Sequence, residues 1–303
     1  MKVLVTGASG FIGAVFLRAQ TARPEIGEIH ATDQGMPGYE HPKVRFVSGN
    51  IAYPQFARSL VSTDISAVFH FAALVSGGAE QNFELGTKVN LEATRDLLEA
   101  CRLAGHRPKF IFASTIGVYG GDLPDPVTDD TPASPRISYG AQKLACEILI
   151  NDYTRRGFVD GRTLRLPAVL VREGTNTALS GWSSAIIREP LAGHDYVCPV
   201  RPDTRQPCIS VQKVAEAFLH AADLPPEALG HDRTVLLNSI SVSAGQMWEA
   251  VKTKAKGRVR FEPDPRVQSV MDTVPKATRS ARAAQLGFRH NSSIEEIIAE
   301  SLG

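Results

Sequence analysis

The chain has 303 residues, room for one large domain with a smaller lobe or for two modest domains. Hydrophobic residues make up 43% and charged residues 21%, and 33 Lys plus Arg against 32 Asp plus Glu leave a formal net charge of +1. That balance carries no electrostatic footprint for nucleic acid or an anionic membrane surface, and no apolar run reaches membrane-spanning length, so neither is expected as a partner. Met1 leads directly into a strand pattern without a signal peptide, so the expected location is the cytoplasm.

Residues 2–6, KVLVT, read as a short apolar strand, followed by Gly7, Gly10 and Gly13 in TGASGFIG and a helical pattern with Val15, Phe16 and Ala19. Strand, glycine-rich turn and helix is the setting in which such glycines bind a dinucleotide. Gly7 permits the tight turn, Gly10 lets a pyrophosphate approach the backbone, and Gly13 lets the helix pack on the strand. The helix start at Phe11 and Ile12 then offers N–H groups to the phosphates. A second strand, EIHATD, ends at Asp33, where a carboxylate accepts hydrogen bonds from an adenosine ribose and repels a 2′-phosphate. That favours NAD over NADP, and no Lys or Arg follows closely in QGMPGYEHP.

Strand three is VRFVSG, followed by Asn50 and Ile51, with the Asn50 oxygen expected to meet the adenine amino group. Strand four is AVFHFAALV, a continuous apolar run as expected for a strand covered on both faces. Phe71, Ala72 and Ala73 at its end are expected beside the cofactor, and His70 within it reads as a core histidine. Ser76-Gly77-Gly78 is expected as a flexible loop at the site. A long helix from about Glu80 to Ala104 should close at Gly105. Asn90 in its middle either bonds inward behind the site or is an ordinary exposed Asn.

Strand five runs from Phe110 and ends in Ser114 and Thr115; after a Pro- and Asp-rich loop expected to cover the site comes a helix carrying Tyr139 and Lys143, entered at Ser134-Pro135 and stopped at Gly157. Four residues on a helix is about one turn, so phenol and ammonium share a face. A nearby positive charge favours the phenolate, which makes Tyr139 a candidate general base for a substrate hydroxyl. Strand six, GRTLRLPAVLV, places Pro167 and Ala168 behind the nicotinamide. Residues 172–208 lose the alternating pattern and read as the start of a substrate lobe. From 209 a helix, VQKVAEAFLHAADL, and a strand, TVLLNSI, return to the main sheet; residues 241–303 complete the lobe with a helix from about Ser243, a strand VRFEP and a last helix with a capping box at Ser293 and Glu296. The predicted fold is α/β, a Rossmann-type doubly wound parallel sheet over 1–171 with 209–240 returning to it, plus a smaller α/β substrate lobe from 172–208 and 241–303. Cys101, Cys146, Cys198 and Cys208 show no metal spacing, so reduced thiols and no metal are expected.

TGASGFIG, Asp33, STIGVYGG and YGAQK together resemble the extended short-chain dehydrogenase/reductase superfamily of sugar-nucleotide epimerases and dehydratases. The resemblance implies that Tyr139 is the catalytic base, that Lys143 binds the nicotinamide ribose and lowers the Tyr pKa, and that Thr115 orients the substrate hydroxyl, with Ser114 and Asn90 at the cofactor. Asn50 stands where the family often has Asp. FHFAALVSGGAEQNFELG, INDYTRRGFVDGRTLRLPAVLVREG, SAIIREPLAG and CPVRPDTR look like a branch that oxidises the C2 hydroxyl of a four-carbon sugar acid with NAD. Such a substrate needs an anchor for its carboxylate: Arg205 first, with Thr204 and Ser76 for hydroxyls and Arg172 or Arg188 as alternatives. A sugar-nucleotide 4-epimerase that returns the hydride is the second reading, and a non-catalytic cofactor-binding sensor the third. The long helices at 80–104 and 138–156 are expected to pair with their copies in a homodimer.

Overall fold

The computed structural model describes residues 1–171 and 178–302. The strands among them are β1 (Lys2–Thr6), β2 (Glu28–Asp33), β3 (Val44–Ser48), β4 (Ile65–His70), β5 (Lys109–Thr115), β6 (Asp160–Leu166), β7 (Ala168–Val169), β8 (Tyr196–Cys198), β9 (Arg205–Ile209), β10 (Thr234–Leu236), β11 (Ile240–Ser243) and β12 (Val259–Phe261). The chain separates into two compact units, one of Met1–Thr115, Ile137–Arg165 and Ala215–Val235, the other of Ile116–Arg136, Leu166–Val214 and Leu236–Gly303.

The first unit is built on a seven-stranded sheet of order β10-β6-β5-β4-β1-β2-β3. From β3 to β5 every neighbouring pair is parallel. The direction of winding reverses between β1 and β4, and the carboxyl ends of those strands open the crevice in which a doubly wound sheet takes its ligand. β4 and β5 are buried almost throughout because both faces are covered. Leu4, Val68, Phe110 and Phe112 pack there with Leu97, Leu98 and Cys101 of the Ala93–Ala104 helix and Cys146 and Ile150 of the Ser138–Arg155 helix. The thiols are free, and burial pushes Cys101 up to about 12 and Cys146 up to about 11, so both stay protonated. The second unit carries a three-stranded sheet, β11-β9-β7, and a parallel pair, β12-β8. Its core gathers Trp182, Ile186 and Ile187 with Met247, Val251 and Ile297.

Several elements end elsewhere than the sequence pattern predicts. The apolar run of strand four leaves the sheet after His70, because the N–H and C=O of Leu74 find partners in the side chain of Asn90 rather than in a neighbouring strand. Ser76-Gly77-Gly78 is no loop: it opens a helix, Ser76–Gln81, whose glycines are buried. The expected long helix breaks at Asn82, which caps a short turn by accepting from Leu85 N at 2.9 Å, and passes through a π-helical turn, Thr87–Glu92, before the regular Ala93–Ala104 segment ends at Gly105 with φ +75°. The Tyr–Lys helix enters at Ser138, later than Ser134-Pro135, and stops at Gly157 with φ +76° as predicted.

Pro167 divides what reads as one strand into two. It has no N–H to give to a ladder, and the chain passes there from β6 in the large sheet to β7, which pairs with β9. The run TVLLNSI divides in the same way into β10 of the large sheet and β11, antiparallel to β9. Consequently the unit boundaries differ from the predicted ones: 116–136, 166–171, 209–214 and 236–240 belong to the second unit. At the last helix Ser293 Oγ accepts from Glu296 N at 3.2 Å, but the Glu296 carboxylate turns to the N–H and hydroxyl of Ser292, so the predicted capping box is only half made.

The first unit also contains a buried ion pair. Arg162 is 1% exposed; its guanidinium bonds Asp160 at 2.6 Å and the Leu224 carbonyl at 2.7 Å, while Arg233 reaches the second Asp160 oxygen at 3.4 Å. Removing the carboxylate leaves two cations facing each other without their counter-ion. Asp160→Ala is therefore expected to lower stability by about 3–5 kcal/mol, read as a shift of the urea midpoint; an unchanged midpoint contradicts this account of the pair.

Candidate active site

The turn after β1 has no room for side chains. Gly7 has φ +70°, and a Cβ there would lie 2.5 Å from Ala72 N; a Cβ at Gly13 would overlap the Gly7 carbonyl oxygen. These contacts let the Phe11–Thr21 helix begin directly over the strand end, and no side chain caps it at Gly10. A cavity of about 260 Å³ opens here, lined by Gly7, Gly10, Asp33 and Asn50. Ile51 and Phe71–Ala73 line it as well. The Asp33 carboxylate is held in place by Ser9 N at 3.0 Å and Gln34 N at 2.7 Å. The Asn50 side-chain oxygen, expected to face adenine, already accepts from Ala52 N at 2.9 Å. Thr6, Gln34, Gly49 and Val89 also line this cavity without having been singled out in the sequence; Thr6 and Gly49 stand at the ends of strands whose carboxyl edge was the expected site.

Behind the cavity wall runs a buried chain of polar groups. Thr6 Oγ1 and His70 Nδ1 are 2.6 Å apart, and His70 Nε2 and Thr94 Oγ1 are 2.9 Å apart. Thr94 donates its hydroxyl proton to the Asn90 carbonyl at 2.7 Å, so towards His70 it can only accept. His70 therefore carries its proton on Nε2, and Nδ1 accepts from Thr6. Burial, with the Lys143 charge second, pushes His70 down to about 3, so the ring is neutral and structural, as the sequence suggests. Asn90 is fully buried, and its amide grips Leu74 N at 2.8 Å and Leu74 O at 3.0 Å and donates to Gln142 Oε1 at 2.7 Å. Of the two alternatives the sequence left open it takes the inward one, and it holds the segment after Phe71–Ala73 from behind rather than lining the cavity.

Tyr139 and Lys143 share one face of the Ser138–Arg155 helix. Tyr139 is half-buried, whereas Lys143 is 1% exposed, with Nζ 4.4 Å from the centre of the Phe112 ring and 5.7 Å from that of Tyr139. Burial lowers Lys143 to about 8, with Cys146 and Glu147 acting in the opposite sense, so it is mostly an ammonium at neutral pH. Both rings present electron-rich faces to that charge. Thr115 is the last residue of β5, partly exposed, next to Ser114. Ser114 does not turn to the cavity: it is 2% exposed, and its hydroxyl donates to the buried carboxylate of Glu147. Glu147 in turn is held by Arg165 through bonds of 2.6, 3.1 and 3.2 Å. Neither partner was singled out in the sequence, although Glu147 lies four residues after Lys143 and so on the same face.

The substrate candidates of the second unit are more committed than expected. Arg205 bonds Asp125 at 2.7 Å and Ser241 Oγ at 3.0 Å, on the edge of a cavity of about 680 Å³ within that unit. Thr204 is buried and gives its hydroxyl to Gln268 at 3.2 Å, so it is not exposed for a ligand. Arg188 pairs with Glu189. Pro167 and Ala168 lie at the start of β7, Ser76 begins its helix in the first unit, and Arg172 lies outside the described residues. Among the described residues no group of His, Cys, Asp and Glu could hold a metal ion.

A family model described as the NAD dependent epimerase/dehydratase family matches residues 3–234. The chain belongs to this family. NAD is its cofactor, and the residues fit: the glycine turn leaves no space for a side chain, the helix start is uncapped, and a carboxylate stands at the end of β2. The chain is 42% identical to a D-erythronate dehydrogenase of Cupriavidus necator, over 98% of this chain and 97% of that one. It is 37% identical to a D-erythronate dehydrogenase of Haemophilus influenzae, over 99% and 98%. A solved nucleoside-diphosphate-sugar epimerase of Agrobacterium tumefaciens superposes with a TM-score of 0.91 at 33% identity, covering 98% of this chain and 92% of that one.

The neutral His70 has a consequence for stability. In the unfolded chain a histidine titrates near its ordinary value of about 6.5, and in the fold near 3. Its contribution is complete above pH 6.5 and is lost as pH falls toward 3, because the unfolded state then binds the proton first. The expected observation is an imidazole NMR signal for His70 that does not titrate between pH 8 and 5. A midpoint near 6 contradicts the hydrogen-bond chain.

Proposed function

We propose that the protein oxidises the C2 hydroxyl of D-erythronate to 2-dehydro-D-erythronate. The observation that carries this reading is the match at 42% identity to a D-erythronate dehydrogenase over nearly the whole of both chains, including the second unit. NAD, when bound, supplies the hydride acceptor. The chain's own residues divide the remaining work. The turn at Gly7 and Gly10 and the start of the helix at Phe11 and Ile12 receive the pyrophosphate; Asp33 receives the adenosine ribose and disfavours a 2′-phosphate. Asn50, Ile51 and Phe71–Ala73 bound the cavity, and Lys143 bonds the nicotinamide ribose.

Tyr139 takes the proton of the C2 hydroxyl as the C2–H bond breaks, and Thr115 accepts or donates at the same oxygen to orient it. Lys143 favours the phenolate form of Tyr139 through its charge. Ser76 is the proposed contact for the substrate's hydroxyls; Arg205, whose guanidinium also bonds Asp125, is the candidate for its carboxylate. The enzyme is taken as a cytoplasmic homodimer, with the exposed Leu103 of the Ala93–Ala104 helix and Ile148 of the Ser138–Arg155 helix available to the second copy; sedimentation equilibrium reads this directly.

A second reading, a sugar-nucleotide epimerase that takes and returns the hydride, is favoured by the 33% identity to the Agrobacterium tumefaciens epimerase. The two separate in one assay. Purified protein with NAD and D-erythronate should raise the absorbance of NADH, with L-threonate and NADP much poorer; a flat trace with NAD retained through purification supports the epimerase. Tyr139→Phe should lower turnover by about 100-fold or more and leave NAD affinity, measured by calorimetry, within about threefold. Turnover retained in that variant excludes Tyr139 as the base.

A further inference from the structure

Glu147 occupies an unusual place for a carboxylate. Its side chain is 3% exposed, one turn beyond Lys143 on the same helix face. Removed from water, a carboxylate needs charged or hydrogen-bonding partners, and here it has both: the Arg165 guanidinium in a fork and the hydroxyl of Ser114. A buried ion pair is poor evidence of a stability role, since apolar side chains of similar volume often serve as well. Bonded to a strand end and one helical turn from a buried ammonium, it stands where it can act on both.

We propose that Glu147, clamped by Arg165, is a positioning residue that fixes the Ser114–Thr115 strand end and keeps Lys143 charged beside Tyr139. The inference rests on the Tyr–Lys reading given above. Among the described residues, these groups stand around Lys143 directly or through Glu147. On its own helix stand Tyr139, the Cys146 thiol, which burial keeps protonated, and Glu147. From β4 comes His70, which is neutral; from β5 come the Phe112 ring and Ser114; from β6 comes Arg165, a cation whose charge Glu147 balances. Neutralising Glu147 thus acts twice in one direction. Lys143 loses a carboxylate that opposes the effect of burial, and Arg165 is left without the counter-ion it is paired with. Lys143 then gives up its proton at lower pH, and a neutral lysine no longer favours the Tyr139 phenolate.

The test uses the whole protein with lysines carrying 13C at Cε, the Lys143 signal being assigned by its loss in Lys143→Met. In the parent this signal should titrate near pH 8. In Glu147→Gln its midpoint should fall by about one pH unit or more. In the double variant Glu147→Gln, Arg165→Met, which leaves no orphan cation, it should fall less but in the same direction. The acid limb of kcat/KM for D-erythronate oxidation should move upward in both. A folded double variant whose Lys143 midpoint and acid limb match the parent overturns the proposal. The NMR titration needs no substrate. Absence of D-erythronate turnover in the parent would therefore refute the functional reading while the Lys143 midpoints still decide the role of Glu147.

Discussion

A positive charge has to be kept where burial opposes it. Lys143 is 1% exposed, and its ammonium lies against the aromatic faces of Phe112 and Tyr139 instead of in water. Desolvation of an isolated ammonium costs several kcal/mol, so the surroundings must return most of that. The rings contribute through their quadrupoles, Glu147 through its charge, and His70 by remaining neutral. Much of the first unit follows from that requirement. His70 is tied to Thr6 and Thr94 in a tautomer that adds no charge, Glu147 is tied to Arg165 and Ser114, and the strands carrying His70, Phe112, Ser114 and Arg165 are neighbours in the sheet. Tyr139 then stands at the partly exposed end of a buried, hydrogen-bonded array.

The cofactor side has a different constraint, the exclusion of side-chain volume. Gly7 and Gly13 bring the turn, the helix start and the segment after β4 to within van der Waals distance of one another. Asn90 serves the same end from behind by holding Leu74 through both of its backbone polar groups. That grip ends β4 at His70 and directs Phe71–Ala73 to the cavity wall. The π-helical turn that carries Asn90 brings an extra residue into the helix where its side chain has to reach inward. A local feature of one helix thereby shapes the wall of a cavity formed mostly by other elements.

These two constraints explain what the sequence made legible. The placement of Gly7, Gly10 and Gly13 in the turn, of Asp33 at a strand end and of Tyr139 and Lys143 on one helix face was readable because it depends on short spacings and on the type of element that precedes them. The doubly wound parallel sheet followed from the alternation of strands and helices. Glu147 and Arg165 were not paired in advance, since their meeting depends on how one helix lies across β6. Arg205 appeared to be an available cation because Asp125, 80 residues away in sequence, gave no local sign of its approach. The breaks at Pro167 and between β10 and β11 were missed as changes of sheet, because a continuous apolar run looks the same whether one sheet or two bury it. Asn82 and the buried glycines at 77 and 78 show packing overriding propensity, which periodicity alone does not reveal.

The central claim is that this array removes a hydride from the carbon bearing the 2-hydroxyl of a sugar acid. The most direct measurement is the fate of deuterium placed at C2 of D-erythronate. With the purified protein and NAD, one deuterium per turnover should appear at C4 of the reduced nicotinamide by proton NMR, on a single face, with none released to water. NADH that forms without deuterium, or from substrate labelled at C3 instead, would contradict the account.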